Sequence, residues 1–136
     1  MQPSAILESA LYVSDLDAAE TFYGEVMGLE RIAKVDGRHV FFRCGQGVLL
    51  LFNADATRQP PKPYARLPVP PHGTTGQGHL CFAGTAAEIE DWKTRLEGAG
   101  IAIEADFEWP SGGRSIYFRD PSGNSLEIAE PRIWGI

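Results

Sequence analysis

The sequence predicts an α+β fold of two tandem βαβββ modules, and three repeated features support this prediction. The segment RHVFFR at residues 38–43 returns as RSIYFR at residues 114–119. Each copy leads through a glycine-containing turn into an apolar strand. Each half of the chain also opens with an apolar strand that is followed by a helix start signal. The two halves therefore match element by element.

The first module is expected to open with a strand at residues 6–13. The helix that follows is expected to begin at Asp17, because Asp17 and Glu20 have the spacing of a capping box, and to end at Gly28. Its apolar stripe consists of Phe22, Tyr23, Val26 and Met27. Three strands are then expected at residues 29–33, 39–43 and 48–53.

The second module repeats this order. After a strand at residues 78–83, Thr85 and Glu88 predict a second capping box. The apolar stripe of this helix consists of Ile89, Trp92 and Leu96, followed by the stop glycines Gly98 and Gly100. Strands are expected at residues 101–107, 114–119 and 125–129, and the segment DPSGN at residues 120–124 predicts a tight hairpin turn between the last two.

We expect a single domain over residues 1–136, with module one at residues 4–53 and module two at residues 78–131. The connection at residues 54–77 holds six of the ten prolines. It is either a simple link or a lid bearing Tyr64, Arg66 or His72. The apolar tail at residues 132–136 is expected to be docked.

Composition argues against several classes of function. A net charge of −6 without any basic run argues against binding to nucleic acid. No apolar run is long enough to span a membrane, and the first ten residues do not resemble a signal peptide, so we expect a cytoplasmic protein. Cys44 and Cys81 fit no paired framework and are expected to be buried thiols.

Three side chains with metal-binding chemistry fall on one predicted face. Glu8, His79 and Glu127 each adjoin a leucine in their strand, so the period of two places them on the face away from the helices. Glu8 and His79 also stand at equivalent points of the repeat. Singly, each is more typical of an ordinary polar strand residue. Together, one imidazole and two carboxylates suffice to bind a divalent cation such as Zn, Mn, Ni or Fe.

These residues lie within motifs that resemble the vicinal oxygen chelate superfamily, which includes glyoxalase I, fosfomycin resistance proteins, bleomycin resistance proteins and extradiol dioxygenases. The motifs are LYVSDL at residues 11–16, FY at 22–23 with MGL at 27–29, and above all YFRDPSGNSLE at 117–127. The resemblance covers residues 4–131. It implies two βαβββ modules that form a cup-shaped mixed sheet around a divalent metal ion.

The resemblance also implies the roles of individual residues. The metal ligands would be Glu8, His79 and Glu127, and a leucine, Leu50, stands at the position of a fourth ligand. Glu127 and Glu8 would double as catalytic proton carriers. The expected substrate-binding residues are Tyr12, Phe41, Trp109, Arg114, Ser115 and Tyr117. The equal alternative is that Ser115 and Tyr117 only line the sheet and that Arg114 pairs with an acidic side chain at the surface.

The leading functional hypothesis is a metal-dependent, glyoxalase-like lyase or isomerase that chelates a small oxygenated substrate and stabilises an enolate or oxyanion. The alternative is a metal-free binding protein of the bleomycin-resistance type with an aromatic cup that includes Trp134. A fosfomycin-type transferase or hydrolase and an extradiol dioxygenase rank lower. In the first case Ala10 stands where a threonine hydroxyl would help to bind a phosphonate. In the second case Glu8 replaces the usual histidine. A purely structural or regulatory dimer ranks below the binding protein.

The resemblance further implies a homodimer. In such dimers, modules from two chains often complete one cup. Glu8 of one chain would then meet His79 and Glu127 of the other, and the alternative is a site formed within one chain. The proline-rich connection at residues 54–77 suits this arrangement, because proline segments are stiff spacers.

Overall fold

The computed structural model describes residues 1–136 and contains two compact units, Met1–Gly76 and Gln77–Ile136, called unit one and unit two below. Each unit is a βαβββ module with one four-stranded mixed sheet. The predicted fold class is confirmed. The longest helix has 13 residues, and no helix could cross a membrane.

Unit one contains one sheet and two short helices. Its elements are β1 (Glu8–Tyr12), α1 (Leu16–Thr21) continued by a π-helical turn (Phe22–Val26), β2 (Glu30–Val35), β3 (His39–Cys44), β4 (Gly47–Phe52) and α2 (Ala54–Thr57). The strand order is β1-β4-β3-β2, in which β1 runs parallel to β4 and the other pairs are antiparallel. The helix α2 lies in the segment that the sequence predicted only as a connection.

The start of α1 differs from the prediction. Asp15, not Asp17, is the N-cap residue, and its carboxylate accepts a hydrogen bond from the backbone N–H of Ala18. The side chain of Glu20 does not return to the helix start, because it pairs with Arg31 and Lys34. The capping box predicted at Asp17 is therefore wrong. Two cations on β2 attract the carboxylate that the box would have required.

Unit two contains β5 (His79–Ala83), α3 (Ala86–Gly98), β6 (Ala105–Glu108), β7 (Arg114–Arg119) and β8 (Ser125–Ala129), followed by a 3-10 turn (Pro131–Trp134). Its strand order, β5-β8-β7-β6, repeats that of unit one, again with the first strand parallel to the last. The predicted capping box is confirmed: Thr85 accepts from the N–H of Glu88, and Glu88 accepts from the N–H of Thr85.

The hairpin turn between β7 and β8 is held by two buried side chains. The N–H of Gly123 donates to the carbonyl of Asp120, which closes the turn. One carboxylate oxygen of Asp120 accepts from the N–H groups of Ser122 and Asn124, and the other accepts from the side-chain amide of Asn124. Asn124 in turn accepts from the N–H of Gly78. The predicted turn thus also ties the start of β5 to β8.

The C-terminal tail contacts the rest of unit two through Arg132 and Ile133. Ile133 packs against Gly113, where a Cβ atom would lie 2.4 Å from the Ile133 side chain. Trp134 and Ile136 are 79% and 86% exposed, so the expectation that the whole tail is docked is wrong. The expectation of buried thiols is also wrong for Cys81, which is exposed, while Cys44 is half-buried; both are free.

Candidate functional site

The candidate site of unit two lies on the sheet face opposite α3. Residues that pair directly across neighbouring strands point to the same side of a sheet. Cys81 and Tyr117 both pair with Glu127, and His79 lies two residues before Cys81. These four side chains therefore share one face. The other face is apolar and buried, and carries Ile116, Phe118, Leu126 and Ile128.

His79 and Glu127 form the centre of this face. Glu127 is only 5% exposed, and its Oε2 lies 3.3 Å from Nε2 of His79. Nδ1 of His79 lies 3.0 Å from the carbonyl oxygen of Ser125. Because a carbonyl oxygen can only accept, Nδ1 carries a proton in this contact, and Nε2 is the ring nitrogen directed at Glu127. The space between Nε2 and the Glu127 carboxylate can hold either a shared proton or a bound cation.

Glu127 also has an oxygen without a partner. Its Oε1 is buried and makes no hydrogen bond. A buried carboxylate oxygen without a hydrogen bond costs free energy, so such a group is typical of a functional site. Burial, followed by the Glu127 carboxylate, raises the pKa of Tyr117 to about 12. Partial burial and the same carboxylate raise the pKa of Cys81 to about 12. Both groups therefore keep their protons at neutral pH.

An aromatic row extends from His79 across the same face. The ring of Tyr117 is nearly parallel to those of His79 and Phe107, with centroid distances of 6.3 and 5.8 Å. Phe107 meets Trp109 edge to face at 5.1 Å. The indole N–H of Trp109 donates to the hydroxyl of Ser115 at 2.8 Å. Ser115, Tyr117 and Trp109 were predicted from the sequence, whereas Phe107 was missed, although its alternation with Asp106 and Glu108 could have indicated it.

Arg114 lies on the other side of the sheet. Its guanidinium binds both oxygens of Asp106 and also Glu90 on α3. Asp106 is held by Arg114 and Lys93, which lower its pKa well below the usual range. The structure therefore places Arg114 in an ion cluster against the helix and does not bring it together with His79 and Glu127.

The predicted residues of unit one share the equivalent face of the first sheet. Ala10 pairs with Leu50, as Cys81 pairs with Glu127 in unit two, so Leu50 is the structural counterpart of Glu127. Glu8 lies two residues before Ala10, at the position that His79 occupies in unit two. The side chain of Glu8 is exposed.

Two histidines outside the predicted site residues also lie on the face of unit one, and one of them, His72, was expected only for a connection that forms a lid. The Tyr12 hydroxyl and Nδ1 of His72 are 2.7 Å apart, which attaches the connection to β1. His39 stacks on Phe41 at 4.1 Å, and its Nδ1 is buried without a hydrogen-bond partner. Burial, with a smaller contribution from Arg38, lowers the pKa of His39. The alternation of β3 with its neighbours could have placed His39 on this face.

The donor set of unit two fits a divalent cation. An imidazole whose other nitrogen is bound to a backbone carbonyl is the usual state of a metal-binding histidine, because the second contact fixes the tautomer. Oε2 of Glu127, 3.3 Å from Nε2 of His79, supplies an oxygen donor beside it. No three His, Cys, Asp or Glu side chains of either unit are grouped so as to hold a metal ion. Unit two thus offers two ligands, and the predicted third, Glu8, belongs to unit one.

Comparisons with known proteins agree with the fold. The family sequence model of the Glyoxalase/Bleomycin resistance protein/Dioxygenase superfamily matches residues 5–128. A crystal structure of a lactoylglutathione lyase from Agrobacterium tumefaciens is 48% identical in sequence, with a TM-score of 0.93 and coverage of 100% of both chains.

Two relatives are similar in sequence over most of the chain. Glutathione transferase FosA of Serratia marcescens is 33% identical over 118 residues, which are 87% of this chain and 74% of that protein. Virulence protein STM3117 of Salmonella typhimurium is 31% identical over 124 residues, which are 88% of this chain and 79% of that protein.

Proposed function

This chain belongs to the glyoxalase/bleomycin resistance protein/dioxygenase superfamily, and on that basis we propose that it is a metal-dependent, glyoxalase-like enzyme that acts on a small oxygenated substrate. The family resemblance that the motifs indicated is thereby confirmed. The proposed cation ligands are Glu8, His79 and Glu127. The cation itself is Zn, Mn, Ni or Fe, all of which accept imidazole and carboxylate donors.

One observation carries this proposal: the buried Glu127 places one oxygen 3.3 Å from Nε2 of His79 and leaves its other oxygen without a partner. A structural ion pair would satisfy its buried oxygens with hydrogen bonds, and this one does not. The unsatisfied oxygen and the fixed imidazole tautomer are both explained if the pair is prepared to receive a cation and a substrate.

Individual residues of this protein would perform the remaining steps of proton transfer, hydrogen bonding and orientation. Glu127 is the candidate to take a proton from the substrate, because Oε1 is free to accept one. Tyr117 remains a phenol at neutral pH and can donate a hydrogen bond to a substrate oxygen. The carbonyl of Ser125 holds the His79 ring in orientation. A divalent cation, when bound, would supply Lewis acidity that stabilises negative charge on the substrate.

The metal proposal is tested by counting metal. The parent protein and His79→Ala are purified, dialysed without chelator and analysed by mass spectrometry for bound metals. We expect about one divalent ion per chain in the parent and at least a tenfold loss of occupancy in His79→Ala, because a ligand is removed. Glu127→Gln should lose metal similarly. The exposed Glu97→Gln on α3 is the matched control and should keep it. Equal occupancy in the parent and His79→Ala, or none in either, would show that the assignment is wrong.

A metal-free binding protein is the second candidate, and the aromatic faces of both units favour it. Tyr12 and Phe41 lie on the face of unit one, and Tyr117 with Trp109 on that of unit two. A parent protein that holds no metal but binds small apolar molecules would establish this function instead.

The similar proteins indicate which reactions should be assayed first. The similar proteins include a lactoylglutathione lyase and a glutathione transferase, so isomerisation and transfer reactions with glutathione come first. A homodimer and a cytoplasmic location complete the proposal. The dimer is tested below, and fractionation of the source cells would test the location.

A further inference from the structure

Unit two exposes an aromatic platform beside His79 and Glu127. Phe107 and Trp109 are 41% and 37% exposed although both are large apolar side chains. The Trp109 hydrogen bond to Ser115 fixes the orientation of the indole ring. Phe107 continues directly into Tyr117 and hence to His79 through nearly parallel rings. Exposed and rigid aromatic surface of this kind is typical of a binding site, because little conformational entropy is lost when a ligand covers it.

The charges on this face are unsuited to an anionic ligand. Alternation along β7 places one cation, Arg119, on the same side as Tyr117. Its guanidinium already binds both oxygens of Glu104 and the carbonyl of Gly123. In the metal-free protein, a phosphonate or carboxylate would thus meet the Glu127 carboxylate on this face without an unpaired cation to offset the repulsion.

From this combination we propose that the substrate presents an uncharged aromatic group to unit two, and that Phe107 and Trp109 select it. The inference rests on the proposed function, since it assumes that the reacting oxygens lie at His79 and Glu127. It narrows the substrate to compounds that carry an uncharged aryl group next to two neighbouring oxygens. Phe107 and Trp109 are specificity-determining residues that touch the aryl group, while Ser115 positions Trp109.

Three probe compounds distinguish the contribution of the aryl group to binding from that of the charge. 2-Hydroxyacetophenone and hydroxyacetone are both neutral and share the same pair of oxygens, but only the first has a phenyl ring. Benzoylformate keeps the phenyl ring and the ketone but has a carboxylate in place of the hydroxymethyl group. Dissociation constants are measured by calorimetry on the full chain, both loaded with Mn²⁺ and freed of metal with a chelator. Burial of a phenyl ring predicts that 2-hydroxyacetophenone binds about tenfold more tightly than hydroxyacetone in both forms. In the metal-free form it should also bind more tightly than benzoylformate.

Variants assign this preference to the platform. Phe107→Ala and Trp109→Ala should each reduce the aryl preference to under about threefold without changing the affinity for hydroxyacetone, since only the phenyl contact is lost. Phe107→Leu should retain part of the preference. Trp92→Ala is the matched control, because Trp92 is a tryptophan of the same unit that lies on α3, on the opposite side of the sheet, and should leave it unchanged. Thermal unfolding confirms that each variant is folded.

The outcomes for the platform and for the metal are separable. Equal affinities for the two neutral probes, or an aryl preference that survives both alanine substitutions, would overturn the platform even if metal binds as proposed. An aryl preference in metal-free protein that Phe107→Ala abolishes would support the platform even if no metal is ever found.

Discussion

A single position shows how the two units have diverged. Leu50 and Glu127 are structural counterparts, and both are buried, at 8% and 5% exposure. Leu50 belongs among the apolar residues of β4. Glu127 leaves one oxygen without a partner, which costs stability. Proteins commonly keep such a cost where activity requires it. Glu127 is therefore the residue at which stability and the proposed function should conflict.

The conflict predicts that Glu127→Leu stabilises the metal-free protein. Leucine is already accommodated at the equivalent position of unit one, and its introduction removes a buried, incompletely paired carboxylate. We expect the free energy of unfolding to rise by roughly 1–3 kcal/mol, measured by urea denaturation in the presence of a chelator. Metal binding should be lost in the same variant.

The reciprocal substitution is the control. Leu50→Glu buries a new carboxylate and should lower the free energy of unfolding of metal-free protein by roughly 1–3 kcal/mol. A destabilised Glu127→Leu would show that the glutamate is satisfied in the folded protein and that its unpartnered oxygen carries no cost.

At the scale of elements, helix starts depend on one or two side chains. At α3 the box of Thr85 and Glu88 is formed as predicted. At α1 two aspartates compete in the sequence, and the chain uses Asp15. Asp15 has extended backbone dihedrals, with φ of −130° and ψ of 102°, which an N-cap requires, whereas Asp17 already lies within the helix. The position at which β1 ends therefore determines which aspartate caps α1.

This difference predicts unequal effects for two similar substitutions. Asp15→Ala removes the acceptor for the N–H of Ala18 and should lower the free energy of unfolding by about 1 kcal/mol. Asp17→Ala removes only a charge from the first turn and should cost less than about 0.5 kcal/mol. Chemical denaturation of both variants measures the difference. A larger loss in Asp17→Ala would mean that the capping box predicted from the sequence forms after all.

At the scale of the whole molecule, several large apolar side chains are uncovered in the single chain. They include Ile6, Leu7, Trp134 and Ile136, all more than two-thirds exposed. Apolar surface of this kind marks a site of association when it is contiguous. It is consistent with the proposed homodimer, in which the modules of two chains would complete the site.

We expect light scattering at micromolar protein to give twice the chain mass of 14.9 kDa. Sharing of the site is tested with mixed dimers of Glu8→Ala and His79→Ala chains. If ligands cross between chains, mixing restores one intact metal site per dimer, because each inactive chain supplies what the other lacks. A monomeric mass would contradict the dimer. Failure of the mixture to regain metal, when the parent dimer binds it, would place all three ligands in one chain.

Patterns among residues that are close together in the sequence were sufficient to predict much of the fold. The repeat and the period of two predicted the two βαβββ modules, and the bounds of β7 and β8 coincide with those predicted. They also placed Glu127 and Leu50 at matching positions. These features could be predicted because each depends on residues that are neighbours in the chain, where alternation, caps and turns act.

Only the tertiary structure decided which partners the side chains take. Ser125 fixes the tautomer of His79 from 46 residues away. Asp106 and Glu90 hold Arg114, which had been expected to bind substrate. Phe107 joins the aromatic row only because β6 pairs with β7 in one register. These contacts join residues from different elements, and electrostatic attraction and packing choose among many possible partners only once the sheet has brought them together.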